Sequence, residues 1–365
     1  MRGTPRPATS SRRPGFTLIE LLVGSAIMLI VIVAALAVYS KSNQISVDQQ
    51  QYAEVQNDVR SAMYLIMRDT RMIGAGIPEG FRMFSLEGVD NEDQGSAVRP
   101  DRLTILGNLD WPLNMEISSY QGGDDSLTVE DYSFEQCQYL DTFYANKILL
   151  ILPNTSSSCR VGEVRTITNV THNSSGTGEK FNFSHGLTAG ITLPMSLEGT
   201  CATSDNYDGG TVLLADVKTY WLDVRGNQPG LTAGVSGYLG LPGVFYVTHN
   251  GVHNPIAQNV ENFQVEYNGD FNDDGMLDGF QPWNALWTVD EVNLIRQVRV
   301  LLLGRTANAF VSVSGKPGAN IHLYRRPTLS NSDGATTDDM HRRFLLESTS
   351  NVRNLSLNLY NKGER

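Results

Sequence analysis

The sequence predicts an α+β protein in which one long N-terminal helix, half transmembrane and half amphipathic, precedes a large, mainly antiparallel β head. Three observations predict this fold. A largely apolar run of 24 residues with one formal charge extends from Phe16 to Tyr39, a polar segment with helical periodicity follows it, and short β-branched and aromatic runs fill the chain after residue 80. Hydrophobic residues make up 41% of the 365 residues, charged residues only 18%, and there are 34 glycines, which is typical of exported β-rich proteins.

Residues 1–15 are a basic leader, with four arginines, no acid and three prolines that prevent a regular helix. The apolar run after it is long enough to span a hydrocarbon core of about 30 Å at about 1.5 Å per residue. Basic residues are dense before this run and sparse after it, which orients the leader towards the cytoplasm. We therefore expect residues 16–40 to form a transmembrane helix and the rest of the chain to lie outside the cytoplasm.

Glu20 is a carboxylate inside the apolar run, where a bare charge costs at least a few kcal/mol. If the chain is cut between Gly15 and Phe16, the new α-amine lies about one helical turn from this carboxylate. The Phe16 amine of a neighbouring subunit can then pair with Glu20 and neutralise both charges in lipid or in a filament core.

The segment GFTLIELLV, from Gly15 to Val23, resembles the type III signal of type IV prepilins and type II secretion pseudopilins almost letter for letter. The resemblance implies that the prepilin peptidase/methyltransferase cuts after Gly15 and N-methylates Phe16, and that Glu20 guides subunit assembly. Loss of the four leader arginines would change the formal side-chain charge from −11 to −15. The alternative is an uncleaved signal anchor, while a conventional secretory or twin-arginine signal fits poorly.

The residues after Ser40 predict that the same helix continues as an amphipathic segment over residues 41–76. Apolar residues recur there at spacings of three, four and seven: Val55, Val59, Met63, Ile66 and Ile73. Glycines followed by a proline in the segment 74–78 mark its end. The helix is therefore predicted to cover residues 17–73, about 57 residues and about 85 Å.

The remainder of the chain predicts short antiparallel strands joined by loops. The predicted strands are 102–106, 126–130, 147–152, 161–170, 211–222, 244–248, 260–267, 295–303 and 352–359. We expect loops to dominate the segments 85–100, 171–186 and 304–340. The head divides into residues 77–255, which are β-rich with a possible insertion, and a C-terminal β module at residues 256–365.

Several later segments resemble the PilW-type minor pilins. Met67–Gly76 resembles the helix end of that group, Val260–Tyr267 and Val298–Arg305 resemble its C-terminal β module, and His341–Leu355 resembles its closing strand. The resemblance implies a minor pilin that takes part in initiating a type IV pilus and sits at its tip. It implies an inner-membrane protein with a periplasmic head before assembly. The implied partners are other minor and major pilins, the prepilin peptidase, the assembly platform and a tip adhesin.

Two other functions remain open from the sequence. One is the minor pseudopilin of a type II secretion system, whose heads are usually smaller. The other is a calcium-dependent binding module that uses pilin export only as an anchor.

We expect no enzyme, because no motif of a hydrolase, a zinc protease or a phosphate loop occurs. The net charge of −11 argues against nucleic-acid binding through the overall field.

An Asp-rich segment places oxygen ligands as in the first part of an EF-hand loop, so calcium is the one cofactor that the sequence suggests. The candidate ligands are Asp270, Asn272, Asp274, Met276 through its carbonyl, and Asp278, with Gly275 at the sixth position. Position 12 is Gln281, so Glu266 or Asp290 would have to complete the shell. The alternative is a hairpin loop built from Asx turns.

Cysteines and histidines suggest little further chemistry. A bridge between Cys137 and Cys159 would close about 20 residues and stabilise the head by about 3 kcal/mol, although pairings with Cys201 remain open. His249 and His253 are four residues apart, but Asn-Gly between them breaks a helix, so they are not expected to bind zinc.

Overall fold

The fold is that of a computed structural model. It describes residues 15–77, 85–92, 98–109, 114–120, 125–129, 147–154, 162–172, 179–184, 207–224, 243–272, 274–309, 324–334 and 338–352.

Helix α1 covers Leu18–Thr70, which confirms the long helix that the sequence predicts. Its first half is exposed, and its second half turns one apolar face to the head. All five predicted core positions on that face are buried: Val55, Val59, Met63, Ile66 and Ile73. The helix ends in turns over residues 71–76, where Gly74 and Gly76 have φ angles of 70° and 81° that favour glycine.

Twelve strands and one short helix are described after α1. They are β1 (Leu86–Val89), β2 (Arg102–Gly107), β3 (Asn114–Ser119), β4 (Ser126–Val129), β5 (Ile148–Leu152), β6 (Glu163–His172), β7 (Glu179–Ser184), β8 (Thr211–Asp223), β9 (Gly243–His249), β10 (Val252–Gly269), α2 (Val289–Val292), β11 (Ile295–Arg305) and β12 (Arg343–Asn351).

All described pairings between these strands are antiparallel, which confirms the predicted α+β class. The main sheet runs in the order β1-β2-β8-β9-β10-β11-β12. Helix α1 packs on β10, β11 and β12. Helix α1 and strand β11 approach closely at Gly304, where an added Cβ would lie 2.5 Å from Val55 Cγ1 and 2.7 Å from Val59 Cγ2.

The five strands β3 to β7 and the first part of β8 close into a six-stranded barrel. The order of neighbours around it is β8-β3-β4-β7-β6-β5-β8. Strand β8 belongs to both structures. Its residues 211–215 pair with β3 and β5 in the barrel, and its residues 216–223 pair with β2 and β9 in the main sheet. One continuous stretch of chain therefore builds the barrel.

Alternation along each strand separates the inside of the barrel from its outside. One buried cluster fills the interior: Met115, Ile117, Tyr120, Leu127, Val129, Leu149, Ile151, Ile167, Tyr207, Val212 and Leu214. The alternate residues Ile148 and Leu150 of β5 join a second cluster outside the barrel, against which Ile77 packs. Because β5 is buried on both faces, its sequence is a continuous apolar run.

Eight of the nine predicted strands are present with shifted ends, and β10 begins at Val252, eight residues before the predicted start. Loops were expected to dominate the segments 85–100 and 171–186, but the first contains the four-residue β1 and the second contains β7 and the end of β6. Strand β3 was missed. The predicted last strand is wrong at its start. Strand β12 ends at Asn351, Val352 follows it outside the strand, and the rest of that segment lies outside the described residues. The division of the head at residue 255 stays a prediction.

Candidate functional site

The N-terminus of α1 is organised by the sequence Thr-Leu-Ile-Glu, which has the spacing of a capping box. The backbone N–H and the hydroxyl of Thr17 both donate to Glu20 Oε2 at 2.9 Å, and the backbone N–H of Glu20 donates to Thr17 Oγ1 at 3.3 Å. Sequence reasoning assigned Glu20 a role in assembly but missed this capping box, although the residue types and the spacing of three were visible.

This geometry leaves part of the Glu20 carboxylate available. Both hydrogen bonds that it accepts go to Oε2, and none of the hydrogen bonds between described residues reaches Oε1. An ionised carboxylate has about four lone-pair sites. Glu20 can therefore keep its capping contacts and accept a charge-assisted hydrogen bond from an ammonium group beside it.

The bond between Gly15 and Phe16 lies in open space. A Cβ added at Gly15 would have no atom within 4 Å, and the Phe16 side chain is 89% exposed. An enzyme can reach this bond without unfolding any described part of the chain.

Within the described part of the chain, the side chains in the first half of α1 are exposed. Among the described residues, α1 is the only helix long and apolar enough to cross a membrane, and none of its apolar window is buried. Large apolar side chains are exposed all round it, for example Leu18 at 82%, Ile30 at 67% and Val38 at 70%. An exposed surface of this size indicates contact with lipid or with other proteins.

Residues 10–36 match the family model of the prokaryotic N-terminal methylation motif. The match includes Gly15, Phe16 and Glu20 and indicates a type IV pilin-like or pseudopilin protein with a membrane-anchoring helix. A motif of this type suggests a structural protein that assembles with pilus or pseudopilus subunits. No curated protein and no solved structure matches the chain.

The Asp-rich loop between β10 and α2 turns its side-chain oxygens onto its own backbone. Asp270 accepts from the N–H groups of Asp274 and Gly275 at 3.0 and 2.9 Å. Asp274 accepts from the N–H of Met276 at 2.8 Å, and Asp278 accepts from that of Phe271 at 2.7 Å. These are the contacts expected of Asx turns.

The wider surroundings of this loop add few ligands. Among the described residues, no group of three or more His, Cys, Asp or Glu side chains is placed to hold a metal ion, and Asp273 lies outside them. Glu266 is ion-paired with Arg299 on β11 and is therefore not a free ligand for the loop. Gln281 closes the base of the loop through two backbone hydrogen bonds with Tyr267 at 2.8 and 2.9 Å. The calcium site stays a prediction.

The candidate cysteines lie outside the described residues, and the two histidines do not share a site. Cys137 and Cys159 lie outside the described residues, so the predicted disulfide stays a prediction. His249 Nε2 lies 2.8 Å from Asp216 Oδ1, while His253 Nδ1 lies 2.7 Å from Thr248 Oγ1. The two histidines thus have separate partners.

Proposed function

We propose that this chain is a PilW-type minor pilin that takes part in initiating a type IV pilus and sits at its tip. The observation that carries the proposal is the methylation motif at the start of a helix whose first half is exposed among the described residues. Lipid covers that half in the inner membrane, and the helices of other minor and major pilins cover it in the filament.

The chemistry of the first residues supports an assembly role. Cleavage after Gly15 creates an amine at Phe16, and Glu20 Oε1 is open to the corresponding amine of a neighbour. Pairing across subunits removes two charges from an apolar surrounding, whereas an unpaired charge there is costly. The pair therefore favours one axial register between neighbouring helices.

The size of the head supports a minor subunit at the tip. After the helix ends, the chain builds both a seven-stranded sheet and a closed barrel. A major subunit repeats every few ångströms along a filament and leaves little lateral room for such a head. A subunit at the tip has no such restriction, and its head can contact an adhesin or other minor pilins. The same observation favours a pilus over a type II secretion pseudopilus, whose heads are usually smaller.

Processing and assembly can be tested together in cells. Gly15→Val should block leader removal and surface pili, while Gly3→Val in the same leader should change neither. Glu20→Ala should leave leader removal intact and abolish incorporation into pili, and Glu20→Asp should retain part of it. Immunogold labelling of the head should mark filament ends. Normal processing of Gly15→Val would overturn the prepilin assignment, and labels spread along the shaft would overturn the tip position.

A second candidate, a pilin-anchored calcium-dependent binding module, draws on the Asp-rich loop. Its Asp270, Asn272 and Asp274 oxygens are already ordered on one short turn. Addition of CaCl₂, but not MgCl₂, should raise the unfolding midpoint of the full chain in detergent, because a ligand that binds only the folded state stabilises it. Asp270→Asn should abolish the rise, and Asp48→Asn, outside the loop, should not. Equal midpoints with and without calcium would exclude the site.

A further inference from the structure

The C-terminal end of α1 carries a buried ionic contact that the proposed function does not yet use. Asp69, 2% exposed, accepts a hydrogen bond from the Tyr220 hydroxyl at 2.7 Å and lies 3.2 Å from the Lys218 ammonium. Arg68, on the solvent side, donates to its other oxygen at 2.7 Å. Burial alone would raise the pKa of Asp69, but the hydrogen bonds from Arg68 and Tyr220 and the charge of Lys218 hold the pKa below its ordinary value.

Lys218 and Tyr220 lie on β8 where this strand leaves the barrel. The preceding two residues are fixed from another side by the turn between β9 and β10. Asp216 Oδ1 accepts from the Asn250 side chain at 3.2 Å, and the N–H of Val217 donates to Asn250 Oδ1 at 2.8 Å. Residues 216 and 217 are thus tied to the turn between β9 and β10, and residue 218 is tied to the end of α1.

The helix end also contacts the strand through which the chain enters the barrel. The N–H of Gly74 donates to the Leu106 carbonyl at 3.1 Å, and the N–H of Asn108 donates to the Ala75 carbonyl at 2.9 Å. A Cβ at Gly107 would lie 3.0 Å from the Met72 carbonyl oxygen, so the two backbones are in direct contact. The end of α1 therefore holds both covalent connections between the barrel and the main sheet.

We propose that Asp69 is a positioning residue that, with Lys218, fixes the barrel relative to the filament helix. The head then follows the helix as one rigid body, and a load on the barrel passes through β8 and Asp69 into α1. This inference rests on the proposed pilin function for its biological meaning, because only an assembled filament supplies such a load.

Hydrogen exchange of the full chain in detergent tests the coupling. Asp69→Asn removes the negative charge that lies 3.2 Å from the buried Lys218 ammonium. It should raise exchange about tenfold at residues 106–108 and 217–220, with less than a twofold change at Leu149 and Ile151 inside the barrel. The double variant Asp69→Asn/Lys218→Met removes both charges and should return the rates towards those of the wild type. Arg68→Ala, at the exposed side, should have less than a threefold effect.

Two results would overturn the inference: an equal rise at all buried strands, which would indicate general destabilisation, or unchanged exchange at both connections. If Asp69→Asn does not fold, Tyr220→Phe removes one hydrogen bond without a change of charge and should show the same local pattern at about threefold. Gly15→Val should leave all these rates unchanged, so a failure of the pilin assignment is distinguishable from a failure of the coupling.

Discussion

The close approach of α1 to the main sheet at Gly304 gives a sharp test of the packing. Replacing Gly304 by alanine adds a Cβ 2.5 Å from Val55 Cγ1 and 2.7 Å from Val59 Cγ2. Carbon atoms prefer separations of about 3.5–4.0 Å, so the new methyl group overlaps both valines by about 1 Å. The neighbours are a helix and a paired strand, and neither can yield without moving other buried groups.

Overpacking of this kind typically costs about 1–3 kcal/mol. For a head of this size the cost corresponds to a fall of about 2–10 °C in the unfolding midpoint, measured by circular dichroism or by differential scanning calorimetry. Val59→Ala alone should also destabilise, because it leaves a cavity. In the double variant Gly304→Ala/Val59→Ala the new methyl group fills part of that cavity. The two changes should therefore be non-additive by about 1 kcal/mol or more in the stabilising direction.

The packing argument fails if Gly304→Ala has the stability of the wild type, or if the two changes add within about 0.5 kcal/mol. The double variant Val55→Ala/Gly304→Ala is a second test, because Val55 makes the other close contact. Both doubles should show the same sign of coupling.

Two further predictions concern buried charges. Burial, with the charges of Asp90 and Glu266, raises the pKa of Asp101 to about 7, so the folded chain holds a proton there that the unfolded chain releases near pH 4. Unfolding free energy should therefore fall as pH rises from about 4 to about 7, by at most about 4 kcal/mol, and urea titrations of Asp101→Asn should lose this slope. Arg343→Ala removes the two hydrogen bonds that the guanidinium donates to the Glu261 carboxylate, 2% exposed, and leaves it Arg305 at 3.8 Å, so it should cost about 3 kcal/mol in urea unfolding. Arg325→Ala, whose partner is exposed, should cost under about 1 kcal/mol, and equal costs would refute the argument.

The helix was predictable because its signals are local. Its apolar run, its core positions from Val55 to Ile73 and its glycine stop each depend on residues within a few turns of one another. The prediction that Glu20 takes part in assembly rests on its charge in an apolar run, because such a charge needs a partner. Its hydrogen bonds to Thr17 follow from a spacing of three, and they could have been found from the same letters.

The head was predictable only in part. Strands β5, β8 and β11 could be predicted because each is an apolar or β-branched run that is largely buried on both faces. Strand β1 has four residues, of which two are Glu and Gly, and only its pairing with β2 makes it a strand. Strand β7 was likewise assigned to a loop, and its pairings with β4 and β6 identify it as a strand.

The sequence by itself determined the long N-terminal helix, because its apolar run and its periodicity are short-range signals. Cleavage after Gly15 stays a prediction that rests on the resemblance of residues 15–23 to prepilin signals, and an assembly role for Glu20 stays a prediction that rests on its charge inside an apolar run. Only the tertiary structure decided that the first part of β8 closes a barrel while the rest of the strand continues into the main sheet, and that Asp69 at the helix end meets Lys218 of that strand. The Asp69–Lys218 pair joins residues 149 positions apart, and the β5–β8 pairing joins residues 59–67 positions apart. Strand order and ion pairs over such separations depend on which surfaces bury each other best, and no local pattern records that choice.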